Sequence, residues 1–273
     1  MFWRVGNNFS LDLDKSPIIM GILNVTPDSF SDAGSYMSPK ASISHAKTMI
    51  QQGADIIDIG GESTRPGAEP ISAQTEQTRI LPIVKTLLQD FTAILSIDTY
   101  NHSTAAAALA LGAHIINDVY GLQKAPQMAE IVANFKAGIV IMHTNRERVP
   151  HRDIIEDQKF FFDKSLTIAA KAGIQKEAIV LDPGFGFGKD YIHNMALFTR
   201  IGELAAFGYP LLAGISRKKS LGRLKHGNAA QSVDMDVATS VLSVLLRERG
   251  FSIFRVHNVA VNCQALAVAD AWL

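Results

Sequence analysis

Short runs rich in Ile, Val and Leu recur along this chain, and between them apolar residues fall at three-and-four spacing. The runs predict strands at Ile18 to Leu23, Ile56 to Ile59, Ile94 to Ile97, Ile115 to Ile116, Ile139 to Met142, Ile179 to Leu181, Leu211 to Ala213 and Ile253 to Val256. The intervening segments predict helices at Ser42 to Gln51, Gln74 to Leu88, Ser103 to Leu111, Gln127 to Phe135, Ile155 to Lys171, Asn194 to Ala206, Val237 to Arg247 and Val259 to Ala269. Gly53, Gly112, Gly138, Gly173, Gly208 and Gly250 stand before the next strand, where a left-handed helix cap belongs. Strict alternation of strand and helix implies a parallel sheet. Eight repeats predict an α/β fold closed as one (β/α)₈ TIM barrel, a single domain over residues 1–273. Phe2 to Leu13 precedes the first barrel strand and predicts a short N-terminal hairpin over the barrel's bottom.

Polar or glycine-bearing clusters follow seven of these runs: Asn24 to Phe30, Gly60 to Gly67, Asp98-Thr99, Asn117-Asp118, Asp182 to Lys189, Ser216 to Lys219 and Arg255 to Asn258. Polar residues gathered at one end of many parallel strands are how a (β/α)₈ barrel builds an active site. Asp98 and Asp182 end strands, so both carboxylates are expected in the mouth. There each matches two parallel N–H donors, as on the guanidine-like edge of a pterin. Asn117 adds an amide that donates and accepts. A second reading stays open for these residues, namely caps on the helices that follow. Gly184-Phe185-Gly186-Phe187-Gly188-Lys189 fits neither a phosphate-binding loop of the Walker type nor a dinucleotide fingerprint, because the glycine spacing is wrong for both. Its glycines let backbone approach a flat ligand on which Phe187 stacks; alternatively, its phenylalanines plug the barrel top.

Lys plus Arg and Asp plus Glu both number 26, so no global field draws nucleic acid or an anionic membrane. Anion recognition must come from cations grouped locally. Arg65, the Arg217-Lys218-Lys219 group, and Arg255 with His257 supply them, the last two after strands seven and eight, where barrels often bind phosphate. Asn24 offers a carbonyl oxygen suited to Mg²⁺. The one cysteine, Cys263, lies in an apolar helical stretch and reads as a structural thiol. With no signal-peptide pattern and no long apolar span, the expected location is the cytoplasm.

Met20 to Asp32 with Asp58 to Gly67 resembles the dihydropteroate synthase family, as do Leu181 to Lys189, Ser216-Arg217-Lys218 and Arg255-Val256-His257. The match runs from about Pro17 to the C-terminus in order and spacing. The resemblance implies an enzyme of folate biosynthesis that joins 6-hydroxymethyl-7,8-dihydropterin diphosphate to 4-aminobenzoate, releasing diphosphate. It implies that Asp98, Asn117, Asp182 and Lys218 hold the pterin, with Met142 and Phe187 packing near the ring. Thr64, Arg65, Ser216, Arg255 and His257 would engage the diphosphate, Lys218, Arg255 and Arg65 acting in catalysis, and Asn24 would help place Mg²⁺. The loops Thr26 to Ser38 and Glu62 to Pro70 would close over the reacting centre, forming the pocket where sulfonamides compete. A homodimer with interface material in the C-terminal helices is also implied.

Some positions depart from the family pattern. Met142-His143-Thr144-Asn145 replaces the more usual Met-His-Met-Gln-Gly, Ala33 replaces a common Gly, and Asn258 a frequent Asp, while Leu221 to Asp236 differs most. A pterin-binding methyltransferase should lack the Ser216-Arg217-Lys218 cations and the Asn24 to Ser29 loop. A catalytically silent relative should have lost Arg65, Lys218 or Arg255, and all three are present.

Overall fold

A computed structural model describes residues 1–26, 38–63, 67–218 and 234–272. In chain order the described elements are β1 (Phe2–Gly6), β2 (Phe9–Asp12), β3 (Ile18–Asn24), α1 (Pro39–Gln51), β4 (Ile56–Gly60), α2 (Ala73–Asp90), β5 (Ile94–Asp98) and α3 (His102–Leu111). There follow β6 (Ile115–Asp118), α4 (Gln127–Phe135), β7 (Gly138–Met142), α5 (Ile154–Ala172), β8 (Ile179–Asp182), α6 (Tyr191–Arg200), β9 (Leu212–Ala213), α7 (Met235–Arg247), β10 (Ile253–Val256) and α8 (Val259–Asp270). β3 to β8 pair in sequence, and β10 lies between β3 and β9. A parallel bridge from Leu181 to Leu211 joins β8 to the start of β9 and closes the ring. The eight predicted strands are therefore the barrel strands.

Alternation along the strands sorts the interior into layers. Ile18, Met20, Ile56, Ile94, Ile115, Val140, Val180, Leu212 and Ile253 form one buried cluster to which every barrel strand contributes. The intervening residues, among them Ile57, Ile59, Leu95, Ile97, Ile116, Ile139, Leu181, Phe254 and Val256, belong to a second cluster shared with the helices. Burial on both faces is why these strands read as continuous apolar runs. The polar exceptions follow the inward layer at intervals of two.

The N-terminal hairpin pairs β1 with β2 antiparallel. Trp3, Val5 and Leu13 join the inward apolar cluster, and Trp3 Nε1 donates to the Ala178 carbonyl at 3.0 Å. This docking explains the one glycine misassigned from the sequence. Gly138 is the first residue of β7 rather than a helix cap; Lys136 takes the left-handed cap of α4 instead. A Cβ at Gly138 would stand 3.1 Å from both the Arg4 carbonyl and the Val5 Cα, so glycine is there to admit the hairpin. α6 also begins a turn before its expected start at Asn194, because the Asp190 side chain caps it on His193 N. Asn258 caps α8 on Val261 N, as expected. Cys263 is partly buried, its Sγ 3.6 Å from the Gly53 carbonyl.

Candidate functional site

Above the apolar layer the inward positions turn polar: Asp58 on β4, Ser96 and Asp98 on β5, Asn117 on β6, Asp182 on β8 and Arg255 on β10, with Asn24 ending β3. Parallel register sets Asn24 beside Gly60, Gly60 beside Asp98, and Asp98 beside Asn117, while Met142 pairs with Asp182. A single funnel thus gathers most of the residues singled out by sequence.

Arg255 is its hub. Nε donates to Asp58 Oδ2 and Nη2 to Asp98 Oδ2, both at 2.6 Å, and Asn117 Nδ2 donates to the same Asp58 oxygen at 3.1 Å. Burial opposes the guanidinium charge, but Asp58 and Asp98 outweigh it and hold the group above its usual range. Burial, against the pull of Arg255 and reinforced by Asp58 and Glu76, raises Asp98 to about 7. Among the described residues the buried Oδ1 atoms of Asp58 and Asp98 have no hydrogen-bond partner, leaving acceptor capacity inside the funnel. Asp98 does not cap α3; Asn101 does, on Ser103 N.

Asp182 is held differently. Its Oδ1 accepts from Gly184 N at 2.7 Å, while Oδ2 lies 3.1 Å from where a Cβ on Gly214 would stand. Burial raises its pKa against that N–H and the nearby cations Lys218, Lys189 and Arg255. Lys218 places Nζ 4.0 Å from the Phe187 ring centre, and Arg146 lies 4.6 Å from the same centre. Burial, then repulsion from Arg255, lowers Lys218 to about 8. Phe187 therefore stands at the rim as a half-buried platform rather than a plug, whereas Phe185 is buried in the outer core.

Ser216 and His257 meet across the mouth, Oγ to Nδ1 at 2.9 Å, and His257 N donates to the same hydroxyl at 3.1 Å. Burial and the neighbouring Arg217 and Arg255 lower His257 to about 3, so the ring is neutral. Arg217 forms a bidentate pair with Asp236 at 2.7 and 2.9 Å, tying this loop to α7. Thr64, Arg65 and the segments 27–37 and 219–233 lie outside the described residues.

Three residues had no role assigned from sequence. Asp58 carries the pivotal ion pair from mid-strand, and its signal is a lone charge inside Ile-Ile-Asp-Ile. Lys189 turns its amine inward onto the Gly184 carbonyl at 2.8 Å, and Arg146 stacks on Phe187. The atypical segment after Met142 has a structural explanation. Arg148 donates to the Thr144 carbonyl, to Asn145 Oδ1 and to both oxygens of buried Asp157, and His143 Nε2 lies 2.9 Å from Asp157 Oδ2. This network fixes the β7 loop against α5.

Barrel and funnel together have the form of a (β/α)₈ enzyme site, with hydrogen-bond acceptors and cations gathered at the strand C-termini. A family model described as pterin binding enzyme matches residues 20–257. Dihydropteroate synthase of Clostridium beijerinckii is 40% identical over 267 residues, 98% of each chain, and that of Escherichia coli is 39% identical over 270 residues, 97% of this chain and 94% of the other. Among solved structures, the Clostridium difficile dihydropteroate synthase with pteroic acid superposes with a TM-score of 0.88 at 43% identity, covering 96% of this chain and 98% of its own. The Xanthomonas albilineans synthase with 4-aminobenzoic acid gives 0.90 at 36% identity, covering 100% and 98%. The chain belongs to the dihydropteroate synthases, pterin-binding enzymes of folate synthesis.

Proposed function

We propose that the funnel joins 6-hydroxymethyl-7,8-dihydropterin diphosphate to 4-aminobenzoate, transferring the pterin-methyl group to the amine and releasing diphosphate. The observation that carries the assignment of roles is the convergence of Asp98, Asp182, Lys218 and Arg255 on one funnel, each charge facing at least one of the others. Asp98, Asn117, Asp182 and Lys218 hold the pterin edge, and Met142 and Phe187 pack on its ring. Arg255, His257 and Ser216 take the diphosphate, joined by Thr64 and Arg65. Lys218, Arg255 and Arg65 are the catalytic cations, aimed at charge that grows on the leaving group.

The carbon–oxygen bond to diphosphate breaks, the ring spreads the resulting positive charge, and the aromatic amine forms the carbon–nitrogen bond and then loses a proton. Carboxylates flanking the ring favour that charge; no protein nucleophile is needed. Closure by the 26–38 and 62–70 loops would exclude water from the cation.

Mg²⁺ fits the residues present. Asn24 Oδ1 lies 3.7 Å from the point a Cβ on Gly60 would fill; Asp98 Oδ2 lies as far from it while accepting from Arg255, and Asp98 Oδ1 has no partner among the described residues, so hard oxygens flank a cradle that glycine leaves open. Asn24 would hold the ion, with Asp98 beside it. When bound, Mg²⁺ supplies charge neutralisation for the diphosphate.

We further propose a cytoplasmic homodimer; among the described residues no helix is long and apolar enough to cross a membrane. Val237, Val241, Val268 and Trp272 expose an apolar face on α7 and at the C-terminal end of the chain, which a second copy would cover. Sedimentation at a mass near the monomer's across concentrations would overturn the dimer.

The assay is direct: purified protein, both substrates and Mg²⁺, with diphosphate release and dihydropteroate formation measured. Absence of both products between pH 6 and 9 overturns the assignment. Release strictly dependent on 4-aminobenzoate, without carbocation-like isotope effects, overturns the stepwise order.

A further inference from the structure

We propose that Lys189 is a positioning residue that sets the Asp182 carboxylate through the backbone on either side of Gly184; this rests on the reading of Asp182 as a pterin ligand. Lys189 is buried, and its Nζ donates to the Gly184 carbonyl at 2.8 Å, with the His143 and Phe187 carbonyls each at 3.4 Å. Withdrawing an ammonium from water is costly, and carbonyl oxygens compensate it only where their places are fixed. Here they are fixed by the loop itself. Gly184 has φ +65°, and a Cβ on it would fall 1.9 Å from the His143 carbonyl oxygen. On the far side of the turn, Asn194 Oδ1 accepts from Gly186 N at 2.8 Å, while Asn194 Nδ2 donates to the Lys189 carbonyl at 3.0 Å.

Gly184 consequently serves two masters. Its carbonyl is gripped by Lys189, and its N–H pins Asp182 Oδ1 at 2.7 Å. The other carboxylate oxygen, Oδ2, is left facing the space over Gly214 inside the barrel. One oxygen is anchored from behind so that its twin is presented to a ligand at a fixed angle. Removing the amine leaves the Gly184 carbonyl held only by the Phe187 N–H at 3.1 Å, which loosens φ and ψ at Gly184 and with them the preceding peptide plane, whose N–H holds Asp182. The same amine also spans two loops, since His143 follows β7 and Phe187 follows β8, so the ring platform and the carboxylate share one anchor.

The test is a double-mutant cycle on the intact protein with Lys189→Met, Asp182→Asn and their combination. Binding of the dihydropterin diphosphate is measured by calorimetry and both KM values by steady-state kinetics. Lys189→Met should weaken pterin affinity about tenfold, the worth of one hydrogen bond to a charged group, with the 4-aminobenzoate KM changed less than about twofold. That penalty should vanish once Asp182 is already Asn. If Lys189→Met does not fold, Lys189→Gln, which keeps an N–H donor, enters the same cycle and should show a smaller penalty that also vanishes. Wild-type affinity in the folded variant, equal losses in both KM values, or an undiminished penalty beside Asp182→Asn overturns the positioning role. Wild-type affinity in Asp182→Asn alone overturns instead the pterin assignment of Asp182.

Discussion

Arg255 donates from Nε to Asp58 Oδ2 across 2.6 Å, joining β10 to β4 within the barrel. Asp58 is wholly buried and accepts from Asn117 as well, so one carboxylate oxygen organises two residues of the funnel. Removing one partner of such a pair strands the other's charge. Asp58→Ala should therefore destabilise the protein by about 3 kcal/mol, the lower end for a broken buried pair because Asp98 still holds Arg255. Urea denaturation measures the loss; a variant as stable as the parent would show that Asp98 alone suffices.

Lys218 titrates at about 8, so in the free enzyme its charge is lost as pH rises through that value. Since kcat/KM reports the free enzyme, this quantity for the diphosphate substrate should fall on the alkaline side with an apparent pKa near 8. Arginine stays protonated, so in Lys218→Arg the alkaline limb should disappear even though activity drops. A limb that survives the substitution assigns the titration to another group, such as Lys189 or Asp98.

Two glycines in left-handed backbone make a controlled comparison. At Gly250, φ is +89° and a Cβ would meet nothing within 4 Å, so Gly250→Ala should cost only the backbone penalty, about 1 kcal/mol. At Gly184, a Cβ would collide with the His143 carbonyl. Gly184→Ala should lower thermal stability far more and abolish pterin binding. Equal effects in a melting experiment would mean the Gly184 turn relocates freely.

Asp157 tests the β7 loop network. Burial pushes its pKa up, but bonds from His143, Arg148 and the His151 N–H prevail and hold the carboxyl well below the ordinary range. A depressed folded pKa stabilises above the unfolded value, about 4, and that contribution is lost as pH falls below it. Asp157→Asn should thus be less stable than the parent by several kcal/mol at pH 7, and the gap should narrow below about pH 4. A gap independent of pH from 7 to 3 would remove the ionised carboxylate from the account.

The barrel was legible in the sequence because burial on both strand faces leaves unbroken apolar runs, and glycine or a capping side chain punctuates most helices. Asp98, Asn117, Asp182, Lys218 and Arg255 were legible as polar residues at or just after strand ends. Asp58 escaped notice because it sits mid-strand, where a charge reads as noise until its partner arrives from 197 residues away. Lys189 closed a glycine-rich stretch that fits no phosphate-loop spacing and so had no role, and only the folded turn shows its amine facing backbone. Gly138 was taken for a cap because nothing in a linear chain reports that another strand's backbone must pass beside it.

That passage has an effect on the core. Trp3, Val5 and Leu13 lay a floor beneath the inward apolar layer of the barrel strands. The little hairpin, far from any chemistry, thereby shields from water the underside of the packing on which the polar funnel stands.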